Sequence, residues 1–274
     1  MDPRMFEIVS TKPELIDEFP RWMFSKTMEN RLRGTKGLAI AEIAGRDSIA
    51  AALEATKKRD FKVLLPTIAY TGTEFGNWEF PFKKTYMLKE ELAKRGINVL
   101  DPIVLGSPKF WWRLCGRYVA HLFKRFGFYS PCMGCHLYLH ALRIPLARKI
   151  GCGVVIGGER ELHEEKIKIN QIGVALDTYI SFAERFGIEL FLPLRQVRKS
   201  EDIESIISQH WEEGAEQLEC VLGKNYLDID GDVVCSEDDV KRFLNEFALK
   251  EAEEVINKFL HVHVTEEKGR HSLS

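Results

Sequence analysis

The sequence predicts an α/β protein with an open parallel sheet of five strands, helices on both faces of the sheet, and a small, mainly helical C-terminal extension. Two observations predict this class. Between residues 37 and 194, short apolar runs alternate with longer amphipathic segments, which is the pattern of consecutive strand-helix-strand units. The first four apolar runs are rich in β-branched and aliphatic residues, as strands covered on both faces require.

The individual elements follow in order along the chain. Strands are predicted at 38–43, 62–70, 98–105, 153–156 and 189–194. Helices at 48–58, 82–95, 110–126, 137–149 and 170–185 are each long enough to cross from one strand to the next. After residue 195 the pattern changes to a helix, a turn-rich stretch and a last helix from Ser236, where a serine followed by acidic residues is a capping start.

The composition bounds the class of protein. The 274 residues are 45% apolar and 29% charged, which is typical of a soluble globular protein, and the net charge of −2 excludes indiscriminate binding to nucleic acid, so that any RNA contact must be local. No apolar run approaches the roughly 18 residues of a membrane span, and residues 1–5 lack the start of a secretory signal. We therefore expect a cytoplasmic protein without a membrane partner, whose six cysteines are thiols.

A phosphate-binding loop is predicted after the first strand. A strand, a tight turn and a strong helix former follow one another directly, so that free amides and the positive end of the helix dipole point at one place. Gly45 allows close approach of an anion, Arg46 adds charge and Ser48 adds a hydroxyl donor. The alternative is that Asp47 and Ser48 only cap a helix after a glycine turn.

A pair of thiols, Cys132 and Cys135, opens the helix that follows residue 130. Their C-x-x-C spacing fits zinc, an iron-sulfur cluster or a redox dithiol, and the spacing alone does not choose among them. Cys115 and Cys152 are expected to be packing thiols. A basic and aromatic segment at 110–128 either meets phosphates and bases or buries an aromatic stripe, and it is also a candidate face for a homodimer.

Two motifs together resemble one known family. Residues 43–48 resemble the SGGxDS pyrophosphate loop of the PP-loop ATPases, the adenine nucleotide α-hydrolase-like group, with Ile43 in place of the serine and Ala44 in place of the first glycine. Residues 157–170 are similar to the GHxxDD…N element of PP-loop enzymes that thiolate tRNA, of the two-thiocytidine and two-thiouridine synthetase type. There Gly158 replaces the histidine, Glu161 keeps the charge of the first aspartate and Leu162 replaces the second. The resemblance covers residues 37 to 235.

The resemblance implies a Rossmann-like fold and a set of site residues. ATP would bind at Ala44, Gly45, Arg46, Asp47, Ser48, Gly157 and Gly158, with adenine against Ile68 and Tyr70. Asp47 and Glu161 would orient Mg2+ or the loop. A downstream cysteine, Cys220, would join Cys132 and Cys135 as the third ligand of a [4Fe-4S] cluster, with Cys235 as its rival or as a fourth ligand. A structural Zn2+ site and metal-free persulfide chemistry remain open as alternatives.

The function that the resemblance implies is ATP-dependent sulfur transfer. A carbonyl of a tRNA base or small metabolite would be adenylated and its oxygen replaced by sulfur from a donor, with Asp47, Glu161, Cys132 and Cys135 as catalytic residues. The alternatives are an ATP-dependent amide ligase with a zinc site and a non-catalytic nucleotide-binding module. The expected domains are a lead-in at 1–36, a nucleotide-binding domain at 37–200 and a helical extension at 201–274 that carries Cys220.

Overall fold

The structure is a computed structural model that describes residues 24–164, 166–208, 211 and 216–271, with side chains up to residue 260. Its main sheet contains β1 (Leu38–Ile43), β2 (Val63–Tyr70), β4 (Asn98–Val99), β5 (Ile103–Gly106), β6 (Val154–Ile156) and β7 (Glu189–Phe191). Two further short strands, β3 (Glu74–Phe75) and β8 (Glu219–Cys220), form a separate antiparallel pair.

Eleven α-helices lie in the described residues: α1 (Lys26–Leu32), α2 (Arg46–Lys58), α3 (Glu79–Ala93), α4 (Pro108–Cys115), α5 (Val119–Phe126), α6 (Pro131–Ala141), α7 (Ile144–Ile150), α8 (Gly173–Glu184), α9 (Ser200–Ile207), α10 (Glu237–Phe243) and α11 (Leu249–His271). A 3₁₀ turn precedes α8 at Ile169–Gln171, and a π-helical turn joins α10 to α11 at Leu244–Ala248. No helix in the described ranges is long and apolar enough to cross a lipid bilayer.

The sheet confirms the predicted fold class. Its strands run in the order β4-β2-β1-β6-β7, every pairing within it is parallel, and β5 continues the edge position by pairing with β2. After β1, the chain therefore places β2, β4 and β5 on one side of that strand. It then places β6 and β7 on the other side. The direction in which strands are added thus switches between β1 and β6, and in open parallel sheets ligands bind outside the carboxyl ends of the strands at such a switch point.

The third predicted strand is interrupted. Val99 pairs with Leu64 and Ile103 pairs with Thr67, so the edge strand has one residue more than β2 between the two pairings. Pro102 lies in this interval and has no backbone N–H to donate to β2. The extra residue explains why one apolar run at 98–105 becomes two short strands.

Two of the predicted helices are each divided in two. The segment 110–126 breaks at Gly116, where the ring of Trp112 occupies the space of a side chain: a Cβ on that glycine would lie 2.6 Å from Trp112 Cδ1. The segment 137–149 separates into α6 and α7 before Pro145, whose ring removes a helical hydrogen-bond donor. The first of these helices begins at Pro131, as the prediction that the thiol pair opens this helix requires, so Cys132 and Cys135 lie in its first turns.

The C-terminal helices pack onto the sheet domain. Ser236 caps α10 with a capping box, because its hydroxyl accepts from the Asp239 N–H and the Asp239 carboxylate accepts from the Ser236 N–H. Phe243 of α10 is fully buried and meets the rings of Phe126 and Phe128, with centroid distances of 5.7 and 6.3 Å. The extension thereby shares an aromatic core with α5 and the segment that leads into α6.

Candidate functional site

The candidate site lies at the carboxyl edge, where the loops after β1 and β6 meet. Gly158, after β6, packs directly on the start of α2: a Cβ there would lie 2.7 Å from Ser48 Cα and 2.8 Å from Ser48 N. Any side chain would therefore collide with backbone. The glycine that stands in place of the histidine of the resembled motif is required by this close approach.

The loop after β1 is an uncapped helix start. Gly45 precedes α2 in an extended conformation and no side chain among the described residues caps the first turn. The Ser48 hydroxyl donates to Gly45 O at 2.7 Å and accepts from the Ala44 N–H at 2.9 Å, so it braces the turn from within. Ala44 is exposed and Gly45 half-buried. Amides of the first helical turn are therefore available to an anion.

Two buried arginines surround the single carboxylate of Asp47. Arg46 donates from Nε to Asp47 Oδ1 at 3.0 Å and Arg160 from Nε to Asp47 Oδ2 at 2.7 Å. Both arginines are almost completely buried, and Nη1 of Arg46 has no hydrogen-bond partner among the described residues. Two cations and one anion leave a net positive charge beside the loop, which favours a polyanionic ligand.

The second predicted acidic residue is also held by an arginine. Arg195 donates from Nε to Glu161 Oε2 at 2.7 Å. Glu161 faces the start of α8, because a Cβ on Gly173 would lie 2.9 Å from Glu161 Oε1. The carboxylates of Asp47 and Glu161 are thus both engaged in ion pairs, an arrangement that orients their loops.

The two residues predicted to contact adenine differ in the solvent exposure of their side chains. Ile68 is 1% exposed, so its side chain belongs to the core and cannot contact adenine as predicted. Tyr70 is half-buried, and its ring lies 5.8 Å from the ring of Trp78. Gly157 is buried beside Glu42, since a Cβ there would lie 3.4 Å from Glu42 Oε2.

A buried network of acids and histidines underlies the loops. His140 Nδ1 lies 3.0 Å from Glu42 Oε1, His136 Nδ1 lies 2.8 Å from Glu159 Oε1, and Asn170 Nδ2 lies 2.8 Å from His136 Nε2. Burial lowers the pKa of His140, but the carboxylates of Glu42 and Glu159 outweigh it, and the net effect is a raised pKa. Burial raises the pKa of Glu159, but the two histidines outweigh it and lower that pKa.

Sequence reasoning missed the acids of this network. Glu42 is a charged residue inside an otherwise apolar strand, Leu-Ala-Ile-Ala-Glu-Ile, and that exception was a usable signal. It also missed Arg143, which is 2% exposed and donates from Nε to Thr67 Oγ1 at 2.8 Å and from Nη2 to Thr67 O at 3.2 Å. This arginine ties the junction of α6 and α7 to β2.

The three predicted thiols come from elements that meet at the same edge. Cys132 Sγ accepts from Asn225 Nδ2 at 3.4 Å, and Cys135 Sγ accepts from Trp111 Nε1 at 3.3 Å. Cys220 lies in β8, opposite Glu74 of β3, and its Sγ is 3.4 Å from Thr73 Oγ1. Because β3 follows directly after the carboxyl end of β2, this pairing brings Cys220 to the edge that carries Gly45.

Electrostatics shows that the thiols are near one another. Burial raises the pKa of Cys132, and Cys220 raises it further. Burial likewise raises the pKa of Cys135, with added contributions from Glu74, Cys132 and Cys220. Among the described residues, no three His, Cys, Asp or Glu side chains are grouped closely enough to hold a metal ion. Cys132 and Cys135 are half-buried and Cys220 is exposed, and three sulfur donors of this kind suit a soft, thiophilic centre.

Cys115 and Cys152 are both buried, as expected of packing thiols. Cys115 is the fourth thiol beside the pair: burial raises its pKa well above the ordinary value, and Cys135 and Cys132 raise it further. Its Sγ would lie 3.0 Å from a Cβ on Gly134. Burial and Asp239 raise the pKa of Cys235 to about 11, and no other thiol contributes to that rise.

One further contact at the phosphate loop was not predicted. A Cβ on Gly45 would lie 2.7 Å from Gln217 Oε1, so this side chain rests on the loop. Gln217 belongs to the segment 216–222, here called the strap, which also carries Cys220. The strap crosses the carboxyl edge from the phosphate loop to the thiols.

Glutamates of the C-terminal helices partly neutralise the positive charge of the basic and aromatic segment at 110–128. Glu251 and Glu254 of α11 bind Arg113, and Glu246 binds Arg125 at 2.8 Å. Trp112 and Phe123 remain 52% and 60% exposed. Phe110, Leu114, Leu122 and Phe126 are buried, so α4 and α5 use one face for the core, as the alternative reading expected.

Comparisons with known proteins give a relative of similar sequence and solved structures of similar fold. No family model matches the chain. It is 39% identical over 224 residues to the uncharacterized protein MJ0009 of Methanocaldococcus jannaschii, a match that covers 81% of this chain and 80% of that protein. It also resembles the crystal structure of a 4-thiouridine synthetase–RNA complex with bound ATP, with 16% identity and a TM-score of 0.46 over 82% of this chain. The chain spans about half of that structure's length, 54%.

Proposed function

The chain belongs to the same family as the uncharacterized protein MJ0009 of Methanocaldococcus jannaschii, and for this family member we propose an ATP-dependent sulfur-transfer enzyme of the PP-loop type. It adenylates a carbonyl of a tRNA base or a small metabolite and replaces the oxygen with sulfur. One observation carries the proposal: the phosphate loop with its buried arginines and the three thiols meet at one edge of the sheet. Neither feature alone distinguishes this activity from simple nucleotide binding.

In the first step the loop holds ATP and favours loss of pyrophosphate. The phosphates bind the amides from Gly45 to Ser48, since the Ala44 N–H already donates to the Ser48 hydroxyl. The positive charge of Arg46 and Arg160 offsets the charge that develops on the leaving pyrophosphate. A substrate carbonyl oxygen attacks the α-phosphorus, the bond to pyrophosphate breaks, and an adenylate remains. Adenine lies against the backbone of β2 near Ile68 and the ring of Tyr70, and Gly157 and Gly158 leave room for the nucleotide.

We assign Asp47 and Glu161 a positioning role. Each is bound by arginine at 2.7 Å, so each fixes the loop on which it stands. Mg2+ would enter with the phosphates of ATP. The chemistry that Mg2+ supplies is neutralisation of phosphate charge, in addition to that provided by the two buried guanidinium groups.

In the second step sulfur replaces the activated oxygen. Cys132, Cys135 and Cys220 would hold a [4Fe-4S] cluster, and the chemistry that the cluster would supply is binding of sulfide. Sulfur from the donor attacks the activated carbon, the carbon–oxygen bond breaks, and AMP leaves with the oxygen. The half-buried position of Cys132 and Cys135 limits the access of water to the adenylate.

We also propose a division of the chain into two parts. Residues 37–200 form the nucleotide-binding unit, and residues 201–274 form an extension that completes the thiol site.

The test of the thiol centre is the metal content of anaerobically purified protein. We expect brown protein with broad visible absorption and about four irons and four sulfides per chain, and loss of the colour in Cys220→Ala. Cys235→Ala is the matched control and should keep the colour, since no other thiol influences Cys235. Colourless protein with one zinc per chain would contradict the cluster and favour the amide ligase.

The test of the ATP chemistry is release of pyrophosphate. We expect labelled ATP to yield pyrophosphate and AMP when unmodified tRNA or a pool of thiolation substrates and sulfide are supplied, and Arg160→Met to lower the yield because it removes charge beside the loop. ATP that binds without cleavage under every condition would reduce the protein to a nucleotide-binding module.

A further inference from the structure

We propose that Gln217 is a positioning residue that couples occupation of the phosphate loop to the placement of Cys220 through the strap. The inference deepens the proposed function and rests on it, because it takes ATP as the ligand of the loop. Gln217 lies outside both the phosphate-loop motif at 43–48 and the motif at 157–170. In the proposed order of events the nucleotide binds first and the thiols then rearrange.

The contact between Gln217 and the loop is steric. Gln217 Oε1 lies where a side chain on Gly45 would stand, 2.7 Å from the position of its Cβ, and Gln217 Cβ lies 3.6 Å from the same position. The side chain thus covers the glycine by which an anion would approach. A carbonyl oxygen beside the first turn of α2 is a partial negative charge, and the helix dipole attracts it as it attracts a phosphate oxygen. Gln217 and a phosphate group therefore compete for one place.

The strap is anchored on both sides of this contact. Glu216 binds Lys84 at 2.5 Å and Lys83 at 3.4 Å, and the Lys84 ammonium lies 3.6 Å from the ring centroid of Trp211. On the other side Glu219 and Cys220 pair with Phe75 and Glu74 in the two-stranded sheet, and the Val221 N–H donates to Thr73 O at 2.9 Å. Only the part between these anchors rests on the loop.

Cys220 follows Gln217 by only three residues, so a displacement of Gln217 is transmitted to Cys220 through a short segment of backbone. In extended chain three residues span about 10 Å, and the short pairing with β3 gives little resistance to a change in twist or register. Cys220 Sγ now lies by Thr73 Oγ1, and Cys220 is near enough to Cys132 to affect its ionisation. When phosphates replace Gln217 on the loop, the strap is released there, and Cys220 is free to approach Cys132 and Cys135.

ATP affinity of the full-length chain tests the competition. Gln217→Ala removes the competing group and should bind labelled ATP about fivefold more tightly or better. Gln217→Glu places a carboxylate at the anion site and should bind ATP about fivefold more weakly or worse. Glu219→Gln is the control, because it changes charge on the same strap away from Gly45 and should leave the affinity unchanged. Equal or weaker ATP binding by Gln217→Ala overturns the proposal.

Hydrogen exchange of the strap tests the coupling, and it needs no catalytic turnover. In the wild-type chain we expect ATP to accelerate exchange of peptides that contain residues 216–222, and adenosine, which has no phosphates, to leave it unchanged. In Gln217→Ala the exchange should be fast already and insensitive to ATP. If ATP binds the wild-type chain without changing this exchange, the coupling is wrong while the proposed function stands. If ATP binds neither the wild-type chain nor any variant, both are wrong.

Discussion

Single residues matter to the chemistry of this site because several of its charged and polar side chains are buried in the protein. Glu42, His140, Glu159 and His136 form a chain of alternating acids and histidines beneath the phosphate loop. Glu42 and Glu159 raise the pKa of His140, and the two histidines lower the pKa of Glu159. The protonation of this network is therefore coupled to the folding of the loops above it.

The raised pKa of His140 gives a prediction for stability against pH. The unfolded histidine titrates near about 6.5, so stability from protonated His140 is fully present below that pH and is lost as pH rises through the higher folded pKa. We expect the free energy of unfolding of the wild-type chain to fall with pH in that window by up to about 1.4 kcal/mol per pH unit. Urea titrations at a series of pH values measure this slope.

His140→Gln is the matching variant, since it keeps a polar group at the site without a titratable proton. It should be less stable than wild type at pH 6, and its stability should not fall across the same window. The lowered pKa of Glu159 acts in the opposite direction, because its stability is present above about pH 4.5 and is lost on acidification. Parallel pH profiles for wild type and His140→Gln would show that His140 is not the group responsible.

Gly158 gives a second prediction at this scale. Gly158→Ala places a methyl group 2.7 Å from Ser48 Cα, which is backbone and can move only by shifting the start of α2. We expect a loss of about 1–3 kcal/mol in stability and weaker ATP binding. Gly153→Ala is the control, because nothing lies within 4 Å of its Cβ position. Equal unfolding midpoints for the two variants would contradict the close approach of the loops.

At the scale of elements, the junction of α6 and α7 is fixed to the sheet by one buried cation. Arg143 joins the end of α6 to Thr67 of β2, and its Nε lies 3.6 Å from Glu42 Oε1. Because α6 carries Cys132 and Cys135 at its other end, this attachment also fixes the direction in which the thiols point. Burial lowers the pKa of Arg143, while Glu42 opposes that decrease.

Replacement of Arg143 should therefore be costly. Arg143→Met fills a similar volume but leaves Glu42 and Thr67 with fewer partners in a buried site, and we expect about 3–5 kcal/mol of destabilisation in urea unfolding. Arg148→Met, one turn further along α7 and exposed, should change stability by less than about 0.5 kcal/mol. A similar small effect for both variants would mean that Arg143 is not the attachment that the geometry describes.

At the scale of the whole molecule, the C-terminal extension and the sheet domain share one core. Phe243 has 0% exposure and its ring lies 5.7 Å from that of Phe126 on α5. The strap comes from the extension as well and reaches Gly45. We expect the two parts to unfold together.

Phe243→Ala should destabilise the entire chain. The expected loss is about 3–5 kcal/mol, with tryptophan fluorescence and far-UV circular dichroism reporting one coincident transition. Phe123→Ala is the matched control, because Phe123 on the neighbouring α5 is 60% exposed and should lose less than about 1 kcal/mol. Separate transitions by the two probes would instead indicate an extension that folds on its own.

The sequence by itself determined the architecture and the motifs that are contiguous in the chain. Alternation of apolar runs and amphipathic segments predicted a parallel sheet of five strands, because strand and helix periods are local properties of the chain, and the third of these strands is two short strands in the structure. The same reasoning predicted the loop at Gly45 and the thiol pair, which are both contiguous in sequence. It also predicted the start of α10 at Ser236, since a capping box needs only four neighbouring residues.

Only the tertiary structure decided how these parts meet. The breaks at Gly116 and before Pro145, the neighbours of Cys115 and the fixing of Asp47 by Arg160 depend on residues far apart in the chain. So does the contact of Gln217 with Gly45, across more than half of the sequence. Such contacts arise because the interior of a folded chain is closely packed, which makes neighbours of residues that are far apart in the sequence. The local sequence pattern around either residue does not indicate that the two are in contact.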